Sequence, residues 1–208
     1  MIYVYFILLG IEIAADMLGL TWLVYLTKPL LMPILMWYFY QNMTSFSKKE
    51  KNLMLMALFF SLLGDVFLMI RGANLFVFGL GSFLIAHIAY IFLFSIDAKA
   101  HLPKRLPFMA FSLIMLYFLK PVLPQAMVLP VFTYTIVITI MGIRAAERQT
   151  NFASYKWVLI GAVLFMISDS LIALNKFLMP LPLSTFWVMT TYGLAQYLIV
   201  AGYLKKNS

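Results

Sequence analysis

The chain has 208 residues, 64% hydrophobic and 17% aromatic, with only 11% charged; a soluble domain would be about half apolar and a quarter charged, so composition excludes an ordinary soluble protein. A formal net charge of +8 invites a nucleic-acid partner, but nearly all the basic residues sit between long apolar runs, which argues against one. The chain lacks cysteine, so there is no disulfide or thiol chemistry, and its apolar runs are continuous rather than alternating, which excludes a membrane β-barrel.

The expected fold class is all-α, a polytopic transmembrane helical bundle forming one domain over residues 1–208. A hydrocarbon core about 30 Å thick takes roughly 20 apolar residues per helix, so about eight helices are expected. Their expected ranges are 2–20, 28–40, 53–70, 75–95, 106–119, 122–143, 156–176 and 184–204.

The first segment, "MIYVYFILLGIEIAADMLGL", has no basic start and runs into Glu12 and Asp16, so it is not read as a cleavable signal. The second is short for a span, with Lys28 at its start and Pro33 inside it. Pro29, Pro103, Pro121 and Pro182 are expected at or just before helix starts. Gly72, Asn74 and "MPLP" at 179–182 mark turns. Along the third helix Ser61, Gly64, Asp65 and Leu68 share a face. On the fourth Gly79, Phe83, Ala86, His87 and Tyr90 do so. The sixth carries Tyr134. The seventh is apolar from Lys156 until Ser168 and Asp169, whose face continues through Ile172 and Ala173 to Lys176. The eighth aligns Tyr192, Ala195, Gln196 and Ile199.

Basic residues alternate between the two sides of this arrangement. Lys48, Lys49, Lys51, Lys99, Lys104, Arg105, Arg144, Arg148, Lys156, Lys205 and Lys206 fall on one side. Lys28, Arg71, Lys120 and Lys176 fall on the other. The positive-inside rule then puts both termini in the cytoplasm, and the expected location is a bacterial cytoplasmic membrane. Glu50, Asp97 and Glu147 are expected to be solvated loop charges.

Four acids remain inside spans: Glu12, Asp16, Asp65 and Asp169. Intramembrane charge is costly and usually functional. Asp65 and Asp169, some 12 and 13 residues into their helices, are expected somewhat past mid-depth. His87, Tyr90, Tyr134 and Gln196 are expected near mid-depth, with Lys28 and Lys176 at the outer rim. A structural pairing of Asp169 with Lys176 or Arg71 is the competing explanation. His87 alone more often serves as an interhelical hydrogen bonder than as a catalyst. A faint echo relates "SFLIAHIAY" after Asp65 to "TYGLAQYLI" after Asp169, as in a parallel 4+4 repeat. With two histidines and no cysteine, no three-histidine zinc site can form; an Asp/His metal site stays open, but no metal is expected to be central and no cofactor is expected.

The stretches "TKPLLMPIL" (27–35), "SLLGDVFLM" (61–69), "FGLGSFLIAHIAYIF" (78–92), "GAVLFMISDSLIALNKF" (161–177) and "YGLAQYLIVAG" (192–202) resemble the YhhN-type lysoplasmalogenase family. The resemblance implies an eight-helix membrane hydrolase that cleaves the vinyl ether of lysoplasmalogens to a fatty aldehyde and a glycerophospho-base. It implies Lys28, Asp65, His87, Tyr90, Ser168, Asp169, Lys176, Tyr192 and Gln196 as the family's polar positions. Glu12 and Asp16 match no motif of it.

That chemistry fits the residues. Vinyl ether hydrolysis needs a positioned acid to protonate the β-carbon, a group to stabilise the oxocarbenium ion, and one water. Burial and like-charge repulsion keep one member of a carboxylate pair protonated near neutral pH, while the other stays ionised. Asp65 and Asp169 are the expected pair, with His87 the rival donor. Lys28 and Lys176 would hold the phosphate. Expected partners are a lysophospholipid and membrane lipids, with no protein partner evident. The alternative is a small-molecule or lipid transporter with an intramembrane carboxylate site.

Overall fold

The computed structural model describes residues 2–70 and 75–207. They form eight helices: α1 (Ile2–Met17), α2 (Thr21–Asn42), α3 (Lys48–Met69), α4 (Phe76–Ser95), α5 (Leu102–Leu119), α6 (Gln125–Glu147), α7 (Phe152–Ala173) and α8 (Ser184–Leu204). No strand occurs among the described residues beyond one isolated bridge, Ala98 to Arg148. Arg71, Gly72, Asn74 and Ser208 lie outside the described residues.

Six helices, α2 to α7, are long and apolar enough to cross a membrane, so the protein is an integral membrane protein. The expected count of spanning helices was eight, and the two that fall short have different physical reasons. α1 has only 16 residues, about 24 Å at 1.5 Å per residue. α8 packs against α1, α2 and α7 and buries Tyr192, Ala195, Gln196, Ile199, Val200 and Tyr203. Protein covers one whole face of it, so that face need not be apolar.

The second helix is the main correction to the sequence reading. It starts at Thr21, not at 28, and continues through both Pro29 and Pro33. Each proline forfeits one backbone hydrogen bond, a loss that membrane helices tolerate where neighbours pack around them. Gly19, at φ 72°, makes the turn before it. Lys28 therefore lies well inside the helix rather than at its first residue.

α3–α4 and α7–α8 are the two most extensive helix pairs. In the second, glycine sets the approach. A Cβ on Gly161 would stand 2.9 Å from the Ala195 carbonyl oxygen, and one on Gly202 would stand 2.9 Å from the Val158 nitrogen. Only glycine lets these backbones meet so closely. α5 is peripheral: it packs mainly on α6, and only Ser112 and Leu119 along it are buried.

The loops at the end carrying the termini hold a second correction. Glu50, Asp97 and Glu147 are not solvated. Glu147 is 1% exposed and Arg148 2%. Arg148 Nη2 donates to Asp97 Oδ2 at 3.0 Å and to Ser154 Oγ at 3.2 Å, and its guanidinium lies 4.9 Å from the Tyr203 ring centre. Lys206 Nζ donates to Asp97 Oδ1 at 2.6 Å and to Glu50 Oε1 at 2.7 Å. Glu147 binds Arg105 at 2.6 Å and Arg144 at 3.0 Å. Burial works to lower the Lys206 ammonium, but its hydrogen bonds to Asp97 and Glu50 outweigh burial and raise it above the ordinary lysine value. A raised folded-state value means that this tether stabilises the fold at neutral pH and is lost only above the lysine range.

Candidate active site

Asp169 lies on α7, one turn before the helix widens into a π stretch over Leu174–Leu178. Its Oδ2 accepts a hydrogen bond from the Tyr134 hydroxyl on α6. His87 Nε2, on α4, lies 2.8 Å from the Tyr134 oxygen and 3.2 Å from the same Asp169 oxygen. His87 Nδ1 is buried without a partner. An N–H there would be an orphaned donor, so the tautomer with hydrogen on Nε2 fits best. The sense of the chain is then His87 Nε2–H to Tyr134 O–H to Asp169 Oδ2. Asp169 Oδ1 takes no part in it.

Asp65, on α3, belongs to a different network. The Tyr192 hydroxyl donates to its Oδ2 at 2.7 Å. Beside it, Gln196 Nε2 donates to Ser61 Oγ at 2.9 Å, and Gln196 Oε1 accepts from Tyr90 at 2.7 Å. Tyr5 on α1, which the sequence reading passed over, donates to the Gly193 carbonyl at 2.8 Å. Each acid thus finds a partner in the opposite half of the chain, Asp65 on α8 and Asp169 on α4.

The two carboxylates do not share a hydrogen bond. Aromatic rings stand between their networks. Phe83 meets Tyr192 edge-on at 5.8 Å and Phe165 at 6.2 Å, and His87 meets Phe165 at 4.7 Å. A Cβ on Gly64 would come within 2.6 Å of the Phe83 ring, so the glycine preceding Asp65 lets that ring approach α3 directly.

Of Asp65 and Asp169, only Asp169 lines the slot between the helices. A slot of about 720 Å³, counted to its open mouth, is walled by α3, α4, α5, α6 and α7. Asp169, Tyr134, Ser112, Thr135 and Ser170 are its polar members, set among Leu68, Leu80, Phe83, Phe111, Met115, Ile138 and Met166. Phe76 and Phe177 also line it, their rings 5.7 Å apart. Lys176 Nζ sits 4.3 Å from the centre of the Phe76 ring. An ammonium is thus placed at the slot's aromatic edge rather than on Asp169.

The remaining polar residues fall elsewhere. Glu12 is fully buried on α1, 3.7 Å from Lys28 Nζ, and neither of its oxygens has a hydrogen-bond partner. Asp16, one turn on, is half-buried at the end of α1. Ser168 donates to the Val188 carbonyl at 3.1 Å, which fastens α7 to α8 and leaves the serine outside the slot. Of the slot's polar groups the sequence reading named Asp169 and Tyr134. It passed over Ser112 and Thr135, because uncharged hydroxyls in a membrane helix ordinarily bond their own backbone, as Thr135 does to the Val131 carbonyl at 2.8 Å. No group of three or more His, Asp or Glu placed to hold a metal occurs among the described residues.

Residues 23–203 match the YhhN family. A human protein named Lysoplasmalogenase TMEM86A is 37% identical over 147 residues, covering 68% of this chain and 61% of its own length. A pig protein named Lysoplasmalogenase TMEM86B is 34% identical over 144 residues, 69% of this chain and 59% of its own. A Mycobacterium tuberculosis protein named Lysoplasmalogenase is 28% identical over 163 residues, 74% and 61%. The chain thus spans about three fifths of the length of these curated relatives. No solved structure matches it.

Proposed function

Because the chain belongs to the YhhN family, we propose that it is a membrane-embedded hydrolase of lysoplasmalogens, acting on the vinyl ether bond without a metal or redox cofactor. The observation that carries this reading is Asp169, a carboxyl group lining an otherwise apolar slot with one oxygen engaged and the other not. With Oδ2 accepting from Tyr134, the acidic proton belongs on Oδ1.

Transfer of that proton to the β-carbon forms a C–H bond and moves the double-bond electrons, leaving an oxocarbenium ion at the neighbouring carbon. Water adds its oxygen there and returns a proton to Asp169. The hemiacetal then breaks its bond to glycerol, whose oxygen takes the hydroxyl proton. Aldehyde and glycerophospho-base leave, and one water is consumed. Asp169, once ionised, lies beside the cation it has made and stabilises it. Tyr134 and His87 fix the carboxyl orientation.

Substrate dimensions agree with the placement of Lys176. Seven residues separate it from Asp169, about 10 Å along a helix. The bonds from a lysoplasmalogen's phosphate to its vinyl carbon reach about 8 Å when extended, at ~1.2 Å per bond. A phosphate held by Lys176 thus leaves the vinyl ether level with Asp169. Lys28, paired with Glu12, is not available for that task. Among the relatives named above none carries a transporter's name, and no observation favours the transport reading.

The test is incubation of purified protein with lysoplasmenylethanolamine in D₂O. Free aldehyde should appear, with one deuterium on the carbon next to the carbonyl, and more slowly than in H₂O. Aldehyde without that deuterium would exclude carbon protonation, and no aldehyde at all would remove the activity.

We also place the protein in a bacterial cytoplasmic membrane, as one domain with both termini inside, on the basis of its basic loops. A green fluorescent protein fused at Ser208 should fluoresce, and alkaline phosphatase inserted after Leu123 should be active. The opposite pattern would invert the orientation.

A further inference from the structure

The polar lining of the slot is one-sided. Among the described residues, the hydroxyls of Ser112, Tyr134, Thr135 and Ser170 line it, and each has a single hydrogen to give. Every one of those hydrogens is already committed. Tyr134 donates to Asp169. Thr135 donates to the Val131 carbonyl at 2.8 Å, and Ser170 to the Met166 carbonyl at 2.7 Å. Thr139 gives its own hydrogen to the Thr135 carbonyl at 2.5 Å, so in its bond with Ser112 the serine is the donor. These hydroxyls therefore turn only lone pairs to the slot, and the one hydrogen free to leave is the acid proton on Asp169 Oδ1.

We propose that Thr135 and Ser170 position the hydrolytic water, holding it by a hydrogen so that its oxygen lone pair faces the oxocarbenium carbon. The proposal rests on the hydrolase reading above. Thr135 follows Tyr134 on α6 and Ser170 follows Asp169 on α7, and all four line the slot, so the two hydroxyls flank the bonded pair that carries the acid. Once the vinyl ether has taken its proton, Asp169 Oδ1 is an acceptor too. A water with one hydrogen on that oxygen and the other on Thr135 or Ser170 has two polar partners in an otherwise apolar wall, enough to order it. Both its hydrogens are then occupied, and a lone pair is left for the cation. A donor at these positions would bond that lone pair and keep it from carbon. As the new C–O bond forms, the hydrogen on Asp169 Oδ1 passes to it, which restores the acid. Methanol has one hydrogen and cannot fill both places: with that hydrogen on Asp169, its methyl group meets the hydroxyl oxygens and leaves them unpaired.

The test is competition between the two nucleophiles. Purified full-length protein is given lysoplasmenylethanolamine in a water–methanol mixture, and aldehyde and methyl acetal are measured by mass spectrometry. In the acetal, the methanol oxygen bonds to the oxocarbenium carbon and its proton passes to Asp169. No hydroxyl is left on that carbon, so the bond to glycerol holds. Wild type should give a lower acetal-to-aldehyde ratio than dilute acid gives in the same solvent. Thr135→Val combined with Ser170→Ala should raise the ratio by about two- to tenfold, the worth of one hydrogen bond. Either single substitution should give part of that rise, and Thr135→Ser, which keeps the hydroxyl, should keep the wild-type ratio. Each removed hydroxyl bonds only its own helix among the described residues, so the contacts between helices stay intact. The ratio is set after the carbon has been protonated, so a general loss of stability or of proton transfer does not move it. A wild-type ratio equal to that in dilute acid, or one unchanged by the double substitution, would overturn the inference and leave the hydrolase reading standing. Absence of both products in wild type would overturn the two together.

Discussion

Asp169→Asn should lower kcat for lysoplasmenylethanolamine by about 10²–10⁴, the contribution of a positioned general acid. The amide has nearly the same shape and can still accept from Tyr134 through its oxygen. It has no acidic proton to give to carbon, so the loss should fall on kcat with KM little changed. Helical circular dichroism and the unfolding midpoint in detergent should stay close to wild type. A variant that folds and keeps more than a tenth of wild-type turnover would remove Asp169 from proton transfer. Asp65→Asn is the informative contrast. Asp65 does not line the slot, so that variant should lose less and should retain deuterium incorporation into whatever aldehyde it makes. If Asp65→Asn were dead and Asp169→Asn active, the assignment of the two acids would be reversed.

Arg148→Met should cost about 3–5 kcal/mol of stability, the usual result of breaking a buried ion pair from one side. The guanidinium is 2% exposed and neutralises Asp97, whose side chain is 6% exposed. Without it, Lys206 is the one cation left to Asp97 among the described residues. Reversible unfolding in mixed micelles should show the loss, whereas Lys99→Ala, at an exposed loop position, should change little. A loss under 1 kcal/mol in Arg148→Met would mean that the charges at this end contribute no more than surface pairs do.

Much of the fold was legible because apolar runs of span length leave few alternatives once the solvent is lipid. The helices holding Asp65, His87, Asp169 and Gln196 lie where the pattern puts them. Helix starts were less legible, and α2 shows why. Proline reads as a boundary in water-soluble chains, but Pro29 and Pro33 sit well inside this helix. With the boundary misread, Lys28 was put at the helix start and the outer rim, and its pairing with Glu12 could not be foreseen. The buried charges at the termini end were hidden for another reason. Arg144, Glu147 and Arg148 look like any charged loop, and nothing local shows that Asp97 and Lys206 come in from far along the chain to cover them. The capping box between Ser47 and Glu50 was one available sign that Glu50 had structural work. At the site, sequence brought the two acids to one region. The Phe83 and Phe165 rings that keep them in separate networks emerge only in three dimensions, since a phenylalanine in a membrane helix is indistinguishable from one facing lipid.

The glycine contacts between α7 and α8 have a mechanical consequence. Helices whose backbones touch at Gly161 and Gly202 cannot slide or splay without breaking many contacts at once. Asp169 on one and Tyr192 on the other therefore move together as part of one rigid plate. α4 is bound to α3 along its length and to the plate through His87. α5 packs mainly on α6, where Phe108 lies against Gly142, Arg105 meets Glu147 and Ser112 meets Thr139, and it presents most of its surface outward, while Phe111 and Met115 close one side of the slot. Of the slot's walls α5 is the least buried, and if lipid tails enter from the bilayer plane, as the proposed function requires, α5 is the wall expected to yield while the distances at Asp169 hold still.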